Sequence, residues 1–221
     1  MWMRSPRMPS NLGWKKRSHD SSCAWRGNHR ERIAPLNNIS STRSLNNPPE
    51  STLQFVEGTL ECIQAELERP EKLASLLGAR VPASWPPGQF DRDALLYFRD
   101  LIQEDAQLYS GWLVWYGIIE EASGRKWLAG VGGYFGPPLR GEVEIGYSVA
   151  PEFEGRGFAQ QMTQFLVRRA FDNPAVSVVR ARVDTGNTRS INVLMRSGFE
   201  LAPFDEATEQ LDFSIRRSQV P

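Results

Sequence analysis

The stretch Pro151-Glu152-Phe153-Glu154-Gly155-Arg156-Gly157-Phe158-Ala159 carries the clearest chemical signal in the chain. Two glycines two apart, between a strand pattern and a helix pattern, let the backbone turn tightly and come close to a ligand. A helix beginning there aims its unpaired N–H groups and positive dipole end at the loop. That suits a pyrophosphate, held mainly by the N–H array, because the dipole contributes only about 0.3–1 kcal/mol at a surface. A plain tight turn has the same local sequence. Other phosphate loops do not fit: the Gly-Lys-Ser/Thr of a P-loop is absent, as is the third glycine of Gly-x-Gly-x-x-Gly.

Just upstream, residues 142–149 alternate strictly. Glu142, Glu144, Gly146 and Ser148 fall on one face, and Val143, Ile145, Tyr147 and Val149 on the other, the pattern of a half-buried strand. Both histidines, His19 and His29, lie in the first 30 residues. From residue 50 onward, then, neither a Ser-His-Asp triad nor a His-bearing zinc centre can be built unless the N-terminal stretch supplies the imidazole. Carboxylates are left as the natural proton acceptors near neutral pH. Cys23 and Cys62 make neither a disulfide framework nor a four-cysteine zinc site, so no metal is expected.

The elements that must position these groups follow from periodicity. Leu60, Ile63 and Leu67 recur at helical spacing over residues 59–68, with Thr59 as cap. Pro70 opens a second short helix over 71–77, closed by Gly78, and residues 91–104 form a third with Leu95, Phe98 and Ile102 on one face. Trp85-Pro86-Pro87-Gly88 is a rigid loop, and the aromatics Trp85, Phe90, Tyr97 and Phe98 read as core rather than pocket. Strands are expected over 111–120, 127–135 and 142–149 as an antiparallel run. A helix to about Phe171 comes next, with Ala159, Met162, Leu166 and Ala170 inward. A strand over 177–183, a helix over 187–197 and strands over 199–202 and 210–215 complete the order. This is an α+β fold: a single mixed, mostly antiparallel sheet with helices on both faces.

The chain has 221 residues and a formal net charge of zero, but the charge is uneven. Residues 1–50 hold nine Lys/Arg against three Asp/Glu, and the remainder holds 17 against 23. The first fifty residues contain five Leu, Ile, Val or Phe, too few to offset the entropy of ordering, and read as a disordered basic extension. They lack a secretory apolar run, though being Arg- and Ser-rich they loosely match a transit peptide. The uncharged stretches 106–119 and 127–139 are too short for a membrane helix.

Three separate segments carry a resemblance. Glu144-Ile145-Gly146-Tyr147-Ser148-Val149-Ala150-Pro151 running into Glu154-Gly155-Arg156-Gly157-Phe158-Ala159, then Asn187-Thr188-Arg189-Ser190, then Met195-Arg196-Ser197-Gly198-Phe199, resemble the GCN5-related N-acetyltransferases (GNAT superfamily). The branch most similar is the Rim-type ribosomal-protein N-terminal acetyltransferases. The likeness covers roughly residues 51–217 and is sharpest over 142–199. It implies a domain that uses acetyl-CoA as cosubstrate, with the pyrophosphate on Glu154, Gly155, Arg156, Gly157, Phe158 and Ala159. It implies two central parallel strands that splay apart, ending near Val149 and Val183, to admit the pantetheine. It further implies that Asn187 meets the pantetheine arm, that N–H groups near Val149 polarise the carbonyl, and that Glu144 is the general base, with Glu142 second. The acceptor it implies is a primary amine, a peptide N-terminus or a small amine.

Two positions depart from the family. Leu194 stands where many members carry a tyrosine as general acid, leaving Ser190 as the nearest hydroxyl. Glu154 stands where many carry Gln or Arg, and a carboxylate there opposes a pyrophosphate. These departures keep a non-catalytic acyl-CoA-binding regulatory module open as an alternative. A nucleic-acid tether through the basic extension is a third reading. A cytoplasmic monomer or homodimer without membrane or nucleic-acid partners is the expectation. Deletion of residues 1–49 should leave the melting temperature and turnover unchanged; a drop of several degrees, or loss of turnover, would show that the extension is part of the fold.

Overall fold

The computed structural model describes residues 52–88, 90–202 and 210–219, so the expected basic extension, residues 1–50, lies outside the described residues. The elements all belong to the unit Pro49–Pro221. Strand β1 (Gln54–Glu57) leads into α1 (Leu60–Glu68), α2 (Pro70–Leu77), α3 (Arg92–Glu104) and the short α4 (Ala106–Tyr109). Strands β2 (Val114–Glu120), β3 (Lys126–Tyr134) and β4 (Glu142–Val149) follow. Then come α5 (Phe158–Phe171), β5 (Val178–Asp184), α6 (Thr188–Arg196), β6 (Glu200–Leu201) and β7 (Gln210–Arg216).

The strands form one mixed sheet in the order β1-β2-β3-β4-β5-β7-β6. Every neighbouring pair is antiparallel except β4 and β5. The expected antiparallel run of three strands is a run of four, because residues 54–57 pair with β2 at its outer edge. Four residues are too few to display a period. The strand expected from Gly111 begins at Val114: Gly111 has φ 73°, and the Trp112 N–H turns back to the Tyr109 carbonyl at 3.0 Å.

Local chemistry starts the helices where the sequence indicates. The Thr59 hydroxyl accepts from the Cys62 N–H at 3.3 Å, and the Asp91 carboxylate accepts from the Asp93 and Ala94 N–H groups at 3.0 and 3.1 Å. Helices cover both faces. On one, α5 packs through Phe165, which stacks on Phe55 with ring centroids 3.9 Å apart and meets Trp115 edge-on. On the other, α1 is joined to β2 by the Tyr116 hydroxyl, which donates to Glu66 at 2.7 Å. The inner stripe of α5 includes Met162, Leu166 and Ala170 as expected, but Phe158 is the buried residue at its start and Ala159 is only half-buried. Phe90 and Phe98 are core, while Trp85 and Tyr97 are half-buried.

Glycines in β2 and β3 bring α5 close to the sheet. A Cβ on Gly117 or Gly132 would lie 2.8 Å from Met162. The tightest position is Gly133, where a Cβ would lie 1.7 Å from the Leu113 carbonyl oxygen, a backbone atom that cannot swing aside. Gly133→Ala should therefore cost about 3 kcal/mol or more in denaturant unfolding. Gly186→Ala, with nothing within 4 Å of the new Cβ, should be close to neutral.

Candidate active site

The parallel ladder between β4 and β5 has three registers, Glu142↔Val178, Val143↔Val179 and Glu144↔Arg180, and then stops. Both strands continue. Residues 145–149 of β4 stay paired with β3 through Gly130↔Val149, and β5 stays paired with β7 up to Asp184↔Gln210. Residues 145–149 and 181–184 thus face each other across a gap without pairing. The backbone N–H and C=O groups that they turn into the gap, away from β3 and β7, are open to an extended, amide-bearing ligand as to a strand. Val149, the last residue of β4, stands at the wide end of this gap.

Beyond Val149 the chain makes one turn of 3₁₀ helix and reaches the glycine loop. Gly155 and Gly157 have φ of 75° and 80°, the left-handed region, and Gly157 is the N-cap of α5. From Gly155 to Gln160 the N–H groups have no backbone partner among the described residues. They form an open donor array at a helix start, the arrangement that binds a phosphate. Arg156 is exposed, with its guanidinium 5.0 Å from the Phe158 ring centroid and 5.8 Å from that of Phe153, which holds a cation beside the array. Glu154 does not confront the array with a bare charge: its carboxylate accepts from Arg189 in the first turn of α6.

Glu142 and Glu144 share a face of β4, and each is held by an arginine of β5. Arg180 donates to both oxygens of Glu142 at 2.7 and 3.1 Å. That guanidinium holds the Glu142 carboxyl below its usual range. Arg182 donates to both oxygens of Glu144 at 2.8 Å each. Position separates the two acids. Glu142 lies inside the closed ladder, whereas Glu144 is its last rung, at the apex of the gap. The loop before α3 reaches the same side, since a Cβ on Gly88 would lie 2.7 Å from the Ser148 hydroxyl.

The opposite side of the gap carries hydroxyls. Asn187 caps α6, its side-chain oxygen accepting from the Ser190 N–H at 3.1 Å. The Ser190 carbonyl accepts from the Tyr147 hydroxyl at 3.4 Å, so the Tyr147 ring spans from β4 to α6. Burial pushes the Tyr147 phenol up to about 12, with hydrogen bonds from Thr163 and Ser190 acting against it. Leu194, in the position of the missing tyrosine, is fully buried. Tyr147 was not among the expected site residues. Its signal in the sequence was its place on the apolar face of residues 142–149, two residues before Val149, which reads equally as core.

The sequence model of a family described as "Acetyltransferase (GNAT) domain" matches residues 69–200, more than half of the chain. YjdG of Bacillus subtilis (strain 168), described as an uncharacterized N-acetyltransferase, is 27% identical over 127 residues, covering 57% of this chain and 72% of that protein. Among solved structures, a GNAT-family acetyltransferase from Bacillus anthracis superposes with a TM-score of 0.50 at 15% identity, covering 76% of this chain and 96% of the other. The N-acetyltransferase PseH of Campylobacter jejuni, solved in complex with acetyl coenzyme A, superposes with a TM-score of 0.46 at 14% identity, covering 76% and 99%.

The Glu154–Arg189 pair generates a test. Both side chains are largely exposed, at 46% and 82%, so the effects are those of a screened surface pair. Arg189→Ala should weaken acetyl-CoA binding about 2- to 5-fold by leaving Glu154 unpaired beside the donor array, and adding Glu154→Gln should restore it. Titration calorimetry on the three proteins checks this; equal affinities would show that Glu154 does not face the bound anion.

Proposed function

The chain belongs to the GNAT acetyltransferases and is an acyltransferase, and from that premise we propose that it moves the acetyl group of acetyl-CoA to a primary amine. The observation that carries this reading is the ladder that ends at Glu144 and leaves a central gap between β4 and β5. Acetyl-CoA is the cosubstrate. Its pantetheine runs along the open edge at residues 145–149, and its pyrophosphate meets the N–H groups of the loop Glu154, Gly155, Arg156, Gly157, Phe158 and Ala159. Among the described residues no group of three or more His, Cys, Asp and Glu is placed to hold a metal ion.

An alkyl amine with a pKa near 10.4 is almost wholly protonated at neutral pH and must lose a proton before it attacks the thioester. Glu144 takes that proton, directly or through a water, from the side of the gap that it shares with Ser148. Because Arg182 engages both of its oxygens, the amine approaches the lone pairs that the guanidinium leaves open. N–H groups near Val149 polarise the carbonyl. The thiolate departs on the other side, toward the start of α6 and the hydroxyls of Ser190 and Tyr147. With its phenol held near 12, Tyr147 stays protonated, and its one O–H turns from the Ser190 carbonyl to donate to the departing sulfur. Base and donors thus flank the gap from opposite faces of β4.

The acceptor is a peptide N-terminus or a small amine. The Rim-type likeness rests on Ser190 together with Leu194 in the tyrosine's place. We propose a cytoplasmic monomer or homodimer. The alternative of a silent acyl-CoA-binding module loses one of its two supports, since Arg189 answers the charge of Glu154.

Thiol release on mixing the chain with acetyl-CoA and an amine panel should occur; binding without release would favour the silent module. In the same assay Glu144→Gln should lower kcat by about 10²-fold at neutral pH with acetyl-CoA affinity unchanged. The deficit should shrink as pH rises and free amine accumulates. Glu142→Gln should cost less. If neither change matters at any pH, catalysis is positioning of the amine against the thioester.

A further inference from the structure

A second cavity lies away from the gap, among α1, α2, the segment before α3 and the start of β3. It encloses about 720 Å³, within the range of about 300–1,000 Å³ typical of small-molecule pockets. Its wall is mostly apolar, with Leu73, Ala74 and Leu95 beside the rings of Trp85 and Trp127. Glu66 lines it and is only 9% exposed.

The state of Glu66 is unusual. The Tyr116 hydroxyl donates to one of its oxygens and the Trp85 indole N–H to the other, both neutral donors. Among the described residues no Lys, Arg or His forms an ion pair with it. Burial raises its pKa, and the two donors act against that shift. A buried carboxylate without a counter-charge is costly unless it is paired or protonated. Two arginines stand at the cavity mouth, both exposed and both engaged: Arg80 lies 5.7 Å over the Trp127 ring, and Arg92 donates to the Leu67 carbonyl at 3.3 Å. The exposed carboxylate of Glu71 lines the cavity with them and offsets part of their charge.

We propose that this cavity is a binding site for an organic ammonium with an apolar body, separate from the acetyl-transfer gap. Each oxygen of Glu66 accepts one hydrogen bond and has a lone pair left for an ammonium N–H. Leu73, Ala74 and Leu95 take the hydrocarbon, beside the rings of Trp85 and Trp127. The segment Trp85-Pro86-Pro87-Gly88 is the partition between the two sites, with Trp85 lining the cavity and Gly88 against Ser148. The site stands on the cavity and Glu66 alone, whatever amine is acetylated in the gap.

The probes are phenethylamine and its uncharged analogue 2-phenylethanol, titrated calorimetrically into the full chain without acetyl-CoA. The amine should bind about tenfold or more tightly than the alcohol. Glu66→Gln should erase that preference, and Ala74→Trp, which fills the cavity and leaves the carboxylate intact, should abolish binding of both. Equal affinity for amine and alcohol, or no binding of either, overturns the proposal. So does amine binding that survives Ala74→Trp, which would place the probe elsewhere. If Glu66→Gln does not fold, the Ala74→Trp comparison decides alone.

Discussion

The interrupted ladder between β4 and β5 is the constraint on which the rest of the molecule depends. Parallel strands pair side by side for as long as their directions agree, and here they agree for three residue pairs. Neither strand can close the gap by swinging over, because β4 is fastened to β3 and β5 to β7 along their other edges. An unpaired edge ordinarily lies at the rim of a sheet, where it is blunted or covered. In this protein it lies in the middle, flanked by the donor array at the start of α5 and by the first turn of α6. The proposed cosubstrate suits it as an extended, amide-bearing chain that ends in a pyrophosphate.

The charges around the gap are arranged in pairs. Glu142, Glu144 and Glu154 each meet an arginine, Arg180, Arg182 and Arg189. Pairs as exposed as these add little to stability, about 0–1 kcal/mol each. Their effect lies elsewhere. They offset the carboxylate charge along β4 and at the loop proposed to accept the pyrophosphate. Glu66 follows the opposite rule: it is buried and held by neutral donors, with its charge unanswered among the described residues.

Much of the fold was legible because its signals are local. Thr59 and Asp91 announce helix starts by side-chain chemistry within three residues, and the alternation of residues 142–149 fixes the faces of β4. The glycine loop was legible for the same reason, since the left-handed φ of Gly155 and Gly157 is a requirement that glycine meets. What escaped depends on distance. β1 is too short to show a period and exists because β2 accepts it. Arg180 and Arg182 lie 38 residues from their glutamates and meet them only through the parallel register. Tyr147 reads as core from its alternation and becomes a candidate for the site only because the ladder ends before it. Phe158 takes the inward place expected of Ala159 because it lies four residues before Met162, on the same stripe as Leu166 and Ala170.

The contact between Glu154 and Arg189 has a topological side. It joins the loop after β4 to the first turn of α6, and α6 follows directly from β5. Together with the three paired rungs at the other end, the contact turns the gap from an open notch into a ring. A long, thin molecule can enter a notch sideways, but a ring must be threaded or unclasped. The clasp is a solvent-exposed ion pair, so it opens on its own and opens more readily as salt rises. Ionic strength then acts on the rate of entry in two opposing directions, freeing the doorway while weakening the pull of the doorway's positive groups on an incoming polyanion.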